Sequence, residues 1–168
     1  MKKLKLATVI GIIFVLITGS LAHFVYEWSG NNALAGLFTP VNESVWEHMK
    51  LVFFPMLLYS VWMISRFRKE YPCIVSALCL GITAGTLLIP VFFYAYTGLL
   101  GRDFFVLDIA AFVLSVLAAF LLSYRLTLSC GAKTYTFFLC VLVCILFVCF
   151  MRFTYHAPAP GIFAVPEP

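Results

Sequence analysis

Residues 104–124 read FFVLDIAAFVLSVLAAFLLSY, an unbroken apolar stretch with one charged side chain, Asp108. About 20 apolar residues in a helix cross the hydrocarbon layer of a bilayer, so this stretch is long enough to span one. Only a helix that satisfies its own backbone groups, or a closed barrel, can do so. Apolar stretches of similar length lie on either side, at about 6–24, 49–65, 73–96 and 135–153. They are parted by a polar segment from Glu27 to His48, the run Arg66-Phe67-Arg68-Lys69-Glu70, a turn from Gly98 to Asp103, and a link from Arg125 to Thr134. The pattern predicts an all-α integral membrane bundle of five transmembrane helices forming a single domain. It ends in an extended, Pro-rich tail over 154–168, which holds half of the prolines.

Composition supports this. The 168-residue chain is 64% hydrophobic and 11% charged, with a mean hydropathy of +1.07. Soluble domains run at about 45–50% apolar and about 25% charged, which excludes a soluble enzyme or a nucleic-acid-binding module. Disorder is excluded by the 17% aromatic content.

Charge orients the bundle. Lys2, Lys3, Lys5, Arg66, Arg68, Lys69, Arg125 and Lys133 fall on one side; Lys50, Arg102 and Arg152 fall on the other. The positive-inside rule then puts the amino terminus in the cytoplasm and the carboxyl terminus outside. The net charge of +4 is this topological signal, so the partner it implies is the lipid bilayer and no nucleic acid. Ser20-Leu21-Ala22 resembles a signal-peptidase site. His23 and Glu27 share a helical face with Ser20, however, and read as the continuation of a retained helix. The six cysteines show no Cys-x-x-Cys pair; they are expected to be small packing residues, with no disulfide framework.

The remaining polar residues are sorted by side. Glu27, Glu43, Glu47, Asp103, Asp108 and Glu167, with His23, His48 and His156, all belong to the outer face or the outer half of a span. At the end of the first helix, Ser20, His23 and Glu27 lie along one face. Thr39 can cap a second helix that starts at Pro40. That places Glu43 one turn from Glu47, and Ser44 one turn from His48, with Trp46 turned away as an interfacial anchor. Asp108 sits ~7 Å deeper than Asp103, where a carboxylate should face the bundle interior and find a partner. The stripe Asp108, Ala111, Ser115, Ala119 suits a close helix contact, as do Gly81 and Gly85 in the third span.

Two histidines and several carboxylates at one level can hold a divalent metal such as zinc, act as general acid and base, or relay protons. The metal reading takes His23, Glu27 and His48 as ligands and Glu43 or Glu47 as general base. Asp108 orients a histidine from behind, and Ser44 is a secondary candidate. The reaction class it favours is metal-assisted or acid/base hydrolysis or transfer on a lipid-linked or envelope substrate. A rival reading is a non-enzymatic membrane protein, such as a small transporter, a proton path or an assembly partner, with the same residues as a packing network.

The segments HFVYEWSG, 23–30, and FTPVNESVWEHMK, 38–50, resemble the signature of a family of small bacterial membrane proteins of unknown function, marked by the Asn-Glu-Ser-x-Trp-Glu-His run. The resemblance implies a multi-pass protein of the bacterial cytoplasmic membrane with a shared outer-face site. It carries no established activity, substrate or catalytic residue.

Overall fold

A computed structural model describes residues 1–158 and 161–165. Six α-helices are formed: α1 Lys2–Trp28, α2 Ala33–Phe38, α3 Val45–Phe67, α4 Ile74–Leu100, α5 Phe105–Ser129 and α6 Thr136–Phe153. A short 3-10 turn, Lys133–Tyr135, leads into α6. No strand occurs among the described residues. All helices but α2 are long and apolar enough to cross a membrane, as the sequence led us to expect.

Antiparallel packing follows from the short connections. α1, α3, α4 and α5 close a four-helix ring, and α6 leans on α4 from outside. One end of the bundle therefore collects the start of α1, the end of α3, the start of α4, the end of α5 and the start of α6. Those segments carry Lys2, Lys3, Lys5, Arg66, Arg68, Lys69, Arg125 and Lys133, so we refer to the basic end and, opposite it, the site end. The core runs along α3 and α4, through Val52, Phe53, Met56, Ile74, Leu78 and Ile82, and is completed by Val116 and Phe120 of α5. The peripheral helices are lipid-like outside, with Ile13, Ile17, Phe137 and Phe138 exposed. An exposed apolar surface of this kind is what lipid would cover.

The α4–α5 seam is the tightest. A Cβ on Gly85 would lie 2.6 Å from Ala119 Cβ and 3.2 Å from the Ser115 carbonyl. A Cβ on Gly81 would lie 2.7 Å from the Ala119 carbonyl. The glycine stripe of α4 thus meets the Ser115–Ala119 stripe of α5 directly, as small residues allow. Gly85→Val should cost about 1–3 kcal/mol, because the seam must open to admit the side chain. A thermal melt in detergent checks this; an unchanged melting temperature would contradict the close approach.

Two expectations fail at the helix ends. The first is that the cysteines only pack: Cys73 and Cys130 form a disulfide, with Cα atoms 5.3 Å apart. Cys73 precedes α4 and Cys130 follows α5, so antiparallel packing brings the start of one helix beside the end of the other. Cys79, Cys140, Cys144 and Cys149 are free thiols. Second, α3 does not start at Pro40. Thr39 instead ends α2, and Ser44 caps α3. The reason is local competition between caps. Asn42 Oδ1 accepts the Ser44 N–H at 2.9 Å, forming a side-chain turn, and Ser44 Oγ accepts the Glu47 N–H at 3.4 Å. These bonds hold 39–44 as a loop. At the head of α5, Phe104 occupies the cap position, with no side-chain cap bond.

The described residues after α6 are not a plain extended strand: residues 154–155 and 161–164 form turns, the second closed by the Ala164 N–H on the Gly161 carbonyl at 3.0 Å. Past α6 the chain returns to the head of α3, where the Trp46 N–H donates to the Ile162 carbonyl at 3.0 Å. The Trp46 ring packs on Phe150 and Phe163, with centroids 4.7 and 5.0 Å apart, so it is buried rather than an interfacial anchor. Pro160 and Glu167, the latter assigned by sequence to the outer face, lie outside the described residues.

Candidate functional site

Three of the residues singled out by sequence converge at the site end. His23 stands near the end of α1, Glu43 in the loop before α3, and His48 in the first turn of α3. Glu43 Oε2 lies 3.4 Å from His23 Nε2 and 3.4 Å from His48 Nε2. The two imidazole rings are 5.4 Å apart, and one ligand atom from each of the three residues falls within 4.8 Å of the others. The histidines are half-buried, while the carboxylate is 63% exposed and opens the cluster to solvent.

Local structure dictates this geometry. His48 Nδ1 lies 3.0 Å from the Ser44 carbonyl, one turn earlier. A carbonyl only accepts, so Nδ1 carries a proton and donates it. Nε2 is then turned toward Glu43. In neutral His48 that nitrogen is a bare lone pair facing a carboxylate oxygen, two acceptors at 3.4 Å. A second proton on the ring, or a metal ion between the two atoms, would make that contact favourable.

Glu43 is held below its ordinary carboxylate range, mainly by its hydrogen bond with His48 and then by the charges of His48 and His23, against the opposing effect of burial. A depressed folded-state value contributes stability above the ordinary carboxylate range, and that stability is lost as pH falls through the lowered value. Glu43→Gln should therefore lower stability in the neutral region, where the ionised carboxylate contributes, converge with wild type in acid, and so flatten the acid limb of the stability curve. Melting temperatures recorded from neutral pH into the acid range read this out, and superimposable acid limbs would refute it.

The other candidates lie elsewhere. Glu27 is exposed and outside the cluster. Glu47 points the opposite way from Glu43, because the residues flanking the α3 cap are no longer on one helix. It is buried and paired with Lys50. Ser44 is buried and uses its hydroxyl as the α3 cap, while its carbonyl holds His48. Asp108, in the first turn of α5, accepts a hydrogen bond from the Tyr96 hydroxyl of α4. It is near enough to His48 for the two charges to interact, but orientation of the ring falls to Ser44. Arg102, six residues before Asp108, sits over the Phe104 ring at 4.6 Å. His156 is exposed and outside the cluster.

One residue escaped the sequence reading. Lys50 has no exposed surface at all. Its ammonium donates to Glu47 Oε2 at 2.7 Å, Thr154 Oγ1 at 2.7 Å and the Gly36 carbonyl at 2.9 Å, with the Thr39 carbonyl at 3.4 Å. The signal for it was Glu47-His48-Met49-Lys50, an i,i+3 pair that usually decorates a helix surface.

The family model of a family of unknown function (DUF6512) matches residues 1–165. The chain belongs to that family. No curated protein and no solved structure matches it. Membership covers the whole site region and both segments that carry the resemblance noted from the sequence, and it brings no assigned activity to the cluster.

Proposed function

We propose that this multi-pass membrane protein binds a divalent metal ion, zinc by its donor set, through His23, Glu43 and His48 at its outer face. The observation that carries the reading is the pair of imidazole nitrogens aimed at one carboxylate oxygen, with the His48 proton already committed to Ser44. Tetrahedral zinc with ligands at about 2.0–2.1 Å separates neighbouring ligand atoms by about 3.3 Å. The two His–Glu43 separations of 3.4 Å match that spacing, and all three ligand atoms lie within 4.8 Å of one another. Glu43 takes the ligand position that the sequence reading gave to Glu27.

Two imidazoles and one carboxylate leave a fourth position open, the arrangement of catalytic rather than structural zinc. A metal held so supplies an activated water at neutral pH or polarises a substrate oxygen. Glu43 is exposed and precedes α3, a helix long and apolar enough to span a membrane, which supports hydrolysis or transfer on a lipid-linked or envelope substrate. Ser44 fixes the His48 tautomer, and Asp108 adds negative charge beside His48.

Elemental analysis of detergent-purified protein, stripped with chelator and dialysed against zinc, tests the reading. One equivalent per chain is expected, lost in His23→Ala and His48→Ala and kept in Glu27→Ala. A wild-type protein without stoichiometric metal would overturn it, and would leave the cluster as an imidazolium–carboxylate network that packs α1 against α3.

Orientation is part of the proposal. Reporter fusions after residue 168 should be active only when the reporter folds outside the cytoplasm, since the basic end carries eight cationic side chains. Activity confined to cytoplasmic reporters would invert the bundle and move the site to the inner face.

A further inference from the structure

The Lys50 network fills a task that the metal reading leaves open. Glu43 is on a loop, yet it must hold one carboxylate between two histidines borne by different helices. Loop residues are ordinarily the mobile ones. Its own side chain bonds only to the histidines, and the Asn42 turn and Ser44 cap hold the loop on the α3 side, so something else must fix residues 36–41.

Three bonds do that, and all pass through one buried pair. The Val41 N–H, two residues before Glu43, donates to Glu47 Oε2 at 2.9 Å. Lys50 donates to the same oxygen at 2.7 Å. It also reaches the Gly36 and Thr39 carbonyls, which end α2 and begin the loop. Carbonyls at a helix end lack helical partners and carry the negative end of the helix dipole, so an ammonium suits them. The fourth contact, to Thr154 Oγ1, anchors the ammonium to the end of α6. Thr154 in turn donates to the Phe150 carbonyl at 2.7 Å, which fixes its hydroxyl as an acceptor for Lys50. Tyr155 ties the same region to the head of α2 by donating to the Ala33 carbonyl at 2.9 Å.

We infer that Lys50 and Glu47 form a positioning latch for the metal site: they clamp residues 36–41 between α3 and α6 and so set the backbone from which Glu43 reaches His23 and His48. Neither residue touches the metal position. Glu47 acts through Val41, and Lys50 acts through Gly36 and Thr39. A pair whose only task was to join the spans would have no need of backbone groups in α2 and the loop, yet two of the four Lys50 acceptors, on Gly36 of α2 and Thr39 behind it, and the remaining Glu47 partner, Val41, are such groups.

This inference rests on the metal reading, and its test separates the two. Replacing both partners by apolar residues, Glu47→Leu with Lys50→Met, removes the charges together and leaves neither stranded. Thr154→Val removes only the far anchor and is the milder variant should the double one misfold. Zinc affinity and hydrogen exchange of the 40–44 backbone are measured on full-length protein in detergent, beside the melting temperature. Outer partners of metal ligands are worth about 10–100-fold in affinity, so the folded double variant should lose that much. Thr154→Val should lose several-fold in the same direction. Exchange over 40–44 should rise in both while the spans keep their protection. Wild-type affinity and exchange in both variants would overturn the latch even if they melted early, because that pattern is a purely structural role. Should the wild type bind no zinc, the metal reading fails and exchange over 40–44 still decides whether the latch holds the loop.

Discussion

Zinc affinity should fall more than about 100-fold when His48 is replaced by alanine, since even the loss of an outer partner costs about 10–100-fold. His48 is the better placed of the two imidazoles. It sits in the first turn of a helix whose cap is already bonded, and its Nδ1 is locked on the Ser44 carbonyl at 3.0 Å. His23 has no such second bond among the described residues. Its replacement should also abolish stoichiometric binding, but His48→Asn is the more telling control. Asparagine can keep a bond to the Ser44 carbonyl and still present no ligand nitrogen at the Nε2 position. Asp108→Asn is expected to stay within about tenfold of wild type, because Asp108 acts on His48 only through its charge and is itself held by Tyr96. Isothermal titration of stripped protein with zinc distinguishes these cases. Equal affinity for wild type and His48→Ala would remove the metal site altogether.

The largest effect on stability should come from Lys50→Met alone. The substitution keeps the length of the side chain and leaves the Glu47 carboxylate, 2% exposed, without its cation. Breaking a buried pair from one side costs about 3–5 kcal/mol, since an unpaired charge remains in a medium that solvates it poorly. At about 2–4 °C per kcal/mol for a chain of this size, the melting temperature should drop by about 6–20 °C. Adding Glu47→Leu should recover much of that loss, because a buried pair replaced whole by apolar groups is often neutral. The recovery is the informative part. If the double variant melts no higher than Lys50→Met, the bonds to Val41, Gly36 and Thr39 dominate over the charge, and the electrostatic account of the pair is wrong.

The spans were legible in the sequence for a simple reason. Every backbone group inside a bilayer must be satisfied, so the pattern of apolar length admits few alternatives. The glycine seam was legible too, because Gly81 and Gly85 are one turn apart and a close helix is the only benefit of that spacing. The site was half-legible. His23, Glu43 and His48 could be placed at one end from span boundaries alone, but their contact depended on where α3 begins. Thr39-Pro40 and Asn42-Glu43-Ser44 are rival start signals, with their caps, Thr39 and Ser44, five residues apart. The second prevails because the Asn42 turn and the Ser44 cap act together. That choice removes Glu43 from the helix, parts it from Glu47, and hands Glu47 to Lys50. Lys50 itself was hidden by its type. Lysine at the edge of a span is ordinarily a snorkelling residue, and nothing local distinguishes one that turns inward to meet helix-end carbonyls. The Cys73–Cys130 link was hidden in another way, as it joins positions separated by 57 residues. The clue was geometric: both flank spans that had to be antiparallel neighbours.

The return of the tail to the head of α3 has a consequence for how the protein is made. The Ile162 carbonyl that accepts the Trp46 backbone N–H, and the Thr154 hydroxyl that receives Lys50, belong to stretches that leave the ribosome only after the first four spans. Until α6 has been inserted and the chain behind it has crossed the membrane, Lys50 has one acceptor fewer and Trp46 lacks both its backbone partner and the Phe163 ring. A nascent chain with four spans in place would thus hold the histidines without a finished loop between them. Closing the loop between the histidines is in effect a late event of synthesis, because it waits for partners that α6 and the segment behind it supply.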